Sequence, residues 1–275
     1  MQEEKNNKLS VVELVKLVDT YAPAVEFEPS IFFGAEKDVI RGVVVCVDPT
    51  IDVMKEAQAK GIDMIVSHHY PSKRSKEYAS MNGLYCMVAH LRQDVAEEGN
   101  IQTFAKMIGI KNIKPFTIRY KGMVVPRGAV TGNFGETDLD CPFVNTGFNN
   151  PNILDKPVPI ATILDEYVGQ IAATLKYYYK LEPKLKIMTD NPKLQIRSVG
   201  VSAGAAIKAE FLEQIAERNI DAYIAAEMEQ PAIMVAKELG ITLIDVGHYE
   251  TEVPGMQRFA RAIGAEFIPN NYVFR

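Results

Sequence analysis

Apolar positions along this chain alternate between short continuous runs and three-and-four spacings. Val11, Leu14, Val15 and Val18 follow Ser10 at helical spacing, which predicts a capped helix to about Tyr21. Gly42–Val47 (GVVVCV) reads as a buried parallel strand. Thr50 or Asp52 then caps a helix to about Lys60, Gly61 ends it, and Ile62–Ser67 (IDMIVS) is the next strand. A strand over Leu84–Ala89 precedes a helix from about Asp94 or Asn100 to Ile108. The C-terminal third repeats the order: strand Ser198–Ser202, helix Ala209–Arg218, strand Ile220–Ala225, helix Glu229–Leu239, strand Ile241–Val246 and helix Gly255–Ile263. Such alternation predicts an α/β fold with largely buried sheets.

Between these thirds, Arg119–Gln195 is rich in Gly, Asn and Pro up to about Pro159. NTGFNNPN (Asn145–Asn152) is a loop by its turn chemistry. A helix from about Ile160 to Tyr179 follows, with Ile163, Tyr167, Ile171 and Leu175 along one face. The run Tyr177–Tyr179 reads as the interfacial end of an ordinary helix. The expected organisation is a first α/β repeat over 1–119, a connecting segment over 120–195 and a second repeat over 196–275.

The two thirds also share a register. A shift of 158 places Lys60-x-Ile62-Asp63 on Arg218-x-Ile220-Asp221, His69 on Glu227, His90 on His248 and Asp94 on Glu252. After a three-residue change of spacing, FAKMIG (Phe104–Gly109) matches FARAIG (Phe259–Gly264). Agreement sustained through strand, helix and polar positions indicates an internal duplication. Open α/β sheets bind ligands beyond the carboxyl ends of their strands, so two repeats related by a pseudo-dyad would aim these groups at a shared cleft.

Composition narrows the function classes. Thirty Lys+Arg against 35 Asp+Glu give a net charge of −5, which argues against a general nucleic-acid binder. No apolar run approaches the roughly 18–20 residues of a membrane span. The opening MQEEKNNKLS lacks the apolar core of a signal peptide, so a cytoplasmic location is expected. Three scattered cysteines, Cys46, Cys86 and Cys141, do not make a disulfide framework or a Cys-rich zinc site.

All four histidines follow apolar strands: His68 and His69 together, then His90 and His248. In each repeat a carboxylate stands four residues after a histidine, as His90…Asp94 and His248…Glu252. Neighbours along a strand point to opposite faces, so His68 and His69 share a site only if the chain turns there. Tyr70-Pro71-Ser72 supplies the turn residues. Neutral imidazoles with carboxylates suit a pair of divalent ions, Fe, Zn, Mn, Co or Ni, bridged by carboxylate and water.

Four motifs in this order, VCVDPT (Val45–Thr50), GIDMIVSHHYPS (Gly61–Ser72), AHLRQD (Ala89–Asp94) and GHYETE (Gly247–Glu252), resemble the NIF-three-like dinuclear metal-centre family, many members of which are called GTP cyclohydrolase type 2 homologues. The resemblance runs from about residue 40 to the C-terminus. It implies two metal ions per chain held by His68, His69, Asp94, His248 and Glu252. It also implies two intertwined α/β repeats with central sheets flanked by helices, and a homohexameric ring. This chain departs from the family in having Tyr70 between the histidine pair and Pro71, and fewer glycines in Ser202–Ala206.

The function expected is a metal-dependent hydrolase-type enzyme acting through metal-activated water on a phosphorylated or nucleotide-like small molecule. Glu227 and His90 are the candidate catalytic proton carriers, from their equivalent strand-end positions. Glu227 reads equally well as a charge partner at the edge of the cleft. An iron-binding or iron-trafficking protein that supplies metal for cofactor biosynthesis, or a metal-stabilised ring scaffold, are the alternatives.

Overall fold

The computed structural model describes residues 9–26, 28–134, 158–159, 168–181, 183, 185–190, 195–196 and 198–272. In chain order the elements are β1 (Leu9–Ser10), α1 (Val11–Tyr21), β2 (Ile31–Gly34), β3 (Val39–Ile40), β4 (Val43–Cys46), α2 (Ile51–Ala59), β5 (Met64–Ser67), α3 (Lys73–Met81), β6 (Tyr85–Val88), α4 (Leu91–Val95) and α5 (Asn100–Met107). They continue with β7 (Ile110–Tyr120), β8 (Met123–Phe134), β9 (Val158–Pro159), α6 (Val168–Tyr179), β10 (Lys186–Met188), β11 (Gln195–Ile196) and β12 (Ser198–Val201). Last come α7 (Ala209–Ala216), β13 (Ala222–Ala225), α8 (Gln230–Leu239), β14 (Thr242–Asp245), α9 (His248–Ala262) and β15 (Glu266–Phe267). The fold is α/β, with sheets flanked by helices.

The chain forms two compact units. The first comprises Met1–Gly99 with Met256–Arg275, and the second Asn100–Gly255. The chain therefore leaves the first unit after Gly99 and returns to it at Met256, within α9.

In the first unit the five-stranded sheet has the order β15-β4-β5-β6-β2. Strands β15, β4, β5 and β6 are parallel, and β2 runs antiparallel along β6. Val44, Cys46, Ile65 and Cys86 on this sheet pack with Val53, Met54 and Ala57 of α2 and with Ile268. Three helices start at hydrogen-bonding caps, the first two of which are expected from sequence. Ser10 and Glu13 form a reciprocal capping box at α1, Thr50 caps α2, and Ser72 caps α3. Such caps contribute about 1 kcal/mol each.

In the second unit the six-stranded sheet has the order β10-β14-β13-β12-β8-β7. Its parallel part, β12-β13-β14, is built through α7 and α8, as β4-β5-β6 is built through α2 and α3. Strand β13 lies 158 residues after β5 at both ends, so the duplication register holds in the backbone. Leu212, Ile215, Tyr223, Ala225, Ala232 and Leu243 anchor this unit's core.

Several elements differ from the sequence expectation. Helix α3 (KRSKEYASM) buries only Ser75 and Ala79, so it carries no apolar stripe to announce it. Strands β7 and β8 form a long hairpin across residues 110–134, where a loop-rich segment is expected from Arg119. Their two-residue turn, Lys121-Gly122, has positive φ at both positions (48° and 79°), the geometry that matches strand twist. The ladder shifts register between Lys111/Lys114 and Phe116/Ile118. Pro115 lies between those irregularities and masks the strand in the sequence. Helix α9 begins at His248 rather than Gly255 and carries Pro254 inside it. The loop expected over Asn145–Asn152, the start of the helix expected from Ile160, and Cys141 lie outside the described residues.

Candidate metal centre

In the first unit the parallel strands release their chemistry at their carboxyl ends: Asp48 after β4, His68 and His69 after β5, and His90 after β6. The turn needed at the histidine pair is present. The His68 N–H donates to the Cys46 carbonyl (3.0 Å), and the His69 N–H donates to the Val47 carbonyl (2.9 Å). Consecutive N–H groups aimed at one neighbouring strand break the alternation of a regular ladder. The Ser67 hydroxyl closes the bend on the His69 carbonyl (2.9 Å). Both imidazoles consequently share a face, with ring centres 4.7 Å apart, and His90 lies 4.7 Å from His68 and 5.6 Å from His69. His68, His69 and His90 each offer a ligand atom within 4.8 Å of the others.

Hydrogen bonds fix the tautomers of the adjacent pair. A carbonyl or carboxylate oxygen only accepts, and a neutral imidazole has one N–H, so the ring nitrogen closer to such an oxygen carries the proton. The His68 Nδ1 faces the Ala89 carbonyl at 3.3 Å, and its Nε2 turns towards Asp94 Oδ1 at 3.5 Å. The His69 Nδ1 faces Asp48 Oδ1 at 2.7 Å, and that leaves the lone pair on the opposite, Nε2 edge. His68 is fully buried, whereas His69 and Asp94 are half-buried.

Asp94 sits on α4, whose start is held by a buried carboxylate. Glu28 accepts from the backbone N–H groups of His90 (2.5 Å), Leu91 and Arg92 (3.3 Å). Burial pushes the Glu28 carboxyl above its ordinary range, and the three N–H donors pull the other way. Arg92 is fully buried; it donates to the Ala22 carbonyl (2.6 Å) and pairs with Asp19. Through these bonds the segment around residues 19–30 fixes where His90 and Asp94 stand.

The second unit carries a smaller set at the equivalent strand ends. Glu227 follows β13, and His248 follows β14 and opens α9. His248 Nδ1 faces Glu227 Oε1 at 2.5 Å, and its Nε2 faces Glu252 Oε1 at 3.0 Å. One helical turn separates His248 from Glu252, so both project from the same face of α9. Glu252 is buried, His248 is 31% exposed and Glu227 is 52% exposed. Glu227 holds a left-handed backbone (φ 58°), a conformation few residues other than glycine adopt and one that recurs at functional sites.

Gly204 lies in front of this pair. It too has positive φ (+62°), and a Cβ placed there would come 2.7 Å from Glu252 Oε1 and 3.2 Å from His248 Nε2. Its N–H donates to the Thr251 hydroxyl (2.8 Å), which ties the glycine loop to α9. The space a side chain would fill is therefore kept clear before one imidazole nitrogen and one carboxylate oxygen. That clearance and the imidazole–carboxylate chemistry fit a divalent metal ion.

The sequence-derived residues thus fall into two sets, each gathered within its own unit: His68, His69, His90 and Asp94, and then His248, Glu252 and Glu227. Glu227 meets His248 on the edge away from Glu252, the position of a residue acting through the ring. Sequence reasoning missed Asp48, although VCVDPT contains it, and missed Gly204 and Glu28. The only signals were an acidic residue after a strand, one glycine in Ser202–Ala206 and an isolated Glu. Cys46 and Cys86 are free and buried, and burial pushes the Cys86 thiol up to about 12.

The chain is similar to known proteins in sequence and fold. The chain is 24% identical to a GTP cyclohydrolase 1 type 2 homolog of Methanocaldococcus jannaschii over 277 residues, covering 94% of each chain. It is 28% identical to a protein of that name from a Nostoc species over 238 residues, covering 80% of this chain and 76% of the relative. Among solved structures, the fold resembles that of protein ybgI, of unknown function (TM-score 0.71, 19% identity, 96% and 99% coverage). It also resembles reduced HcgD from Methanocaldococcus jannaschii (TM-score 0.68, 18% identity, 96% and 99% coverage). A Bacillus cereus protein related to NIF3 has the same fold (TM-score 0.68, 15% identity, 97% and 99% coverage). With the Duf34/NIF3 (NGG1p interacting factor 3) family model matching residues 28–273, the chain belongs to that family.

Proposed function

We propose that this chain holds two divalent metal ions through His68, His69, Asp94, His248 and Glu252. The reading is a hydrolase-type enzyme acting on a phosphorylated or nucleotide-like small molecule. The observation that carries it is the shared arrangement of three imidazoles. Each has Nδ1 tied to an oxygen, of Ala89, Asp48 or Glu227, so that Nε2 is the coordinating nitrogen. Metal-binding histidines are oriented in this way by a carboxylate or carbonyl behind the ring.

When bound, a pair of such ions polarises a substrate oxygen and supplies an activated water near neutral pH. The chain's own residues do the rest. Asp48 and Glu227 keep His69 and His248 in the coordinating tautomer. Glu28 sets the position of Asp94 through the start of α4. His90, beside the His68 and His69 rings, is the proton carrier of this reading. Glu227, the other proton-carrier candidate from sequence, also orients His248 in this reading.

A second reading, a metal carrier that delivers iron to cofactor assembly, draws on the exposure of His248 and Glu227, which eases exchange of an ion at that edge. Metal analysis of protein purified without oxygen distinguishes the readings when joined to assays of phosphoesters and GTP. About two ions per chain with turnover abolished by Glu252→Gln supports the enzyme. Two ions with no turnover and ready transfer of Fe(II) to a chelator supports the carrier. Retention of both ions by a His68→Ala/His69→Ala variant overturns the site. A homohexamer, as the resemblance implies, is tested by light scattering on the same preparation.

A further inference from the structure

Among the described residues, Asn270 and Tyr272 make hydrogen bonds to one residue of the candidate centre, Asp48. The Asn270 side chain brackets the main chain of Asp48: its Oδ1 accepts from the Asp48 N–H (3.0 Å), and its Nδ2 donates to the Asp48 carbonyl (2.8 Å). The Tyr272 hydroxyl donates to Asp48 Oδ2 at 2.7 Å. The other carboxylate oxygen, Oδ1, receives the His69 Nδ1–H at 2.7 Å. Asp48 thus has one oxygen on the tail and one on the imidazole. Its backbone is gripped from a position 222 residues further along the chain.

The grip is local to the tail's end. Up to Ile268 the segment belongs to the sheet, with β15 beside β4 and the Ile268 N–H on the Val45 carbonyl (2.8 Å). Beyond it, Pro269–Tyr272 and the first turns of α2 (Thr50, Asp52, Val53, Glu56) line a cavity of about 130 Å³. Asn270 is buried, and Tyr272 is 45% exposed. Residues 269–272 therefore line this cavity while Asn270 and Tyr272 hold the residue that orients His69.

We propose that the C-terminal tail is a positioning element for the metal centre: Asn270 and Tyr272 hold Asp48, Asp48 holds the His69 ring in its coordinating tautomer, and metal retention at His69 depends on the tail being docked. This rests on the reading of His69 as a metal ligand. Neither tail residue touches a metal or substrate in it; both act through Asp48.

The test uses the full chain, Zn2+ as the probe and the variants Tyr272→Phe, Asp48→Asn and the two combined. Tyr272→Phe removes one hydroxyl from a half-exposed ring and keeps the rest of the tail. Competition with a chromophoric chelator is expected to show Zn2+ bound about 3–10-fold more weakly by Tyr272→Phe and about 10–100-fold more weakly by Asp48→Asn, the range for partners behind a ligand. The double variant is expected to match Asp48→Asn within about twofold, because residues acting in one chain of contacts are not additive. Nitrogen-15 spectra of the metal-free protein supply a readout independent of metal. Tyr272→Phe is expected to raise the fraction of His69 with its proton on Nε2. Asn270→Asp, which sets an acceptor against the Asp48 carbonyl, is expected to act in the same direction. Unchanged Zn2+ affinity and an unchanged His69 tautomer in Tyr272→Phe would overturn the proposal. So would losses that multiply in the double variant, since Tyr272 would then act apart from Asp48. A wild-type chain that takes up no Zn2+ would instead overturn the metal reading, and the His69 spectra would still decide the relay.

Discussion

Positions 69 and 227 stand at the same place in the two repeats, just after β5 and β13, and carry different chemistry. In the first unit the position is an imidazole, and its backing carboxylate comes from Asp48 at the end of β4. In the second unit the position is itself the backing carboxylate, and the imidazole it orients is His248 at the end of β14. His248 in turn corresponds to His90, which stands among the first unit's imidazoles. Duplication has preserved where functional groups emerge and exchanged which of them faces the ligand. A strand end beyond a buried parallel sheet fixes the origin of a side chain but leaves its type open, so the proposed donor sets are unequal: two imidazoles and Asp94 from one repeat, one imidazole and Glu252 from the other.

The largest effects should come from the coordinating edges. His68→Ala/His69→Ala is expected to abolish stoichiometric metal uptake in elemental analysis, and His248→Ala to remove at least one of two ions. Equal, small losses from both would break the asymmetry drawn above. Gly204→Ala comes next. Its Cβ would intrude on His248 Nε2 and Glu252 Oε1, and its positive φ adds strain of about 1 kcal/mol. Metal affinity is expected to fall by about 100-fold or more, and the melting temperature measured in chelator by only a few degrees.

The pair Asp48→Asn and Glu227→Gln tests the comparison at its centre. Each keeps the shape of the carboxylate and removes its charge from behind one imidazole. Each is expected to weaken metal binding about 10–100-fold, read by chelator competition. A loss confined to Asp48→Asn would mean that Glu227 is only a surface partner of His248. Glu28→Gln should have the smallest effect, a few-fold loss of affinity, because an amide keeps one acceptor for the α4 N–H groups. Its burial holds the Glu28 carboxyl above the ordinary range, so its ionisation costs stability in the folded state. That cost is absent below the unfolded pKa and sets in as pH rises through the higher, folded value. Glu28→Gln is therefore expected to flatten the stability profile over a window just above the usual carboxylate range, measured by chemical denaturation.

Much of this was legible from the residues alone. The strands GVVVCV and IDMIVS announce themselves because a parallel strand is apolar on both faces, and Ser10 and Thr50 cap the helices their positions suggest. The 158-residue register survives in β5 and β13. Three kinds of feature stayed hidden. Helix α3 is stabilised by its cap and by small buried residues, which leave no periodic signal. The β7–β8 hairpin is interrupted by prolines and register shifts that read as loop. The residues around the candidate ligands, Asp48, Glu28 and Gly204, depend on contacts between segments far apart in sequence, such as 28 with 90–92 and 48 with 270 and 272. Spacing rules speak only of near neighbours, so they marked Glu227 as a strand-end carboxylate without showing that it meets the His248 ring.

The central claim is that three imidazoles backed at Nδ1 present Nε2 to a pair of metal ions. An anomalous-difference map from crystals of protein purified without oxygen tests it most directly. The account predicts two peaks per chain, with bonds of about 2.0–2.2 Å to Nε2 of His68, His69 and His248 and to carboxylate oxygens of Asp94 and Glu252. Peaks bonded to Nδ1, peaks away from these residues, or crystals grown with added Zn2+ that show no peak there would contradict it.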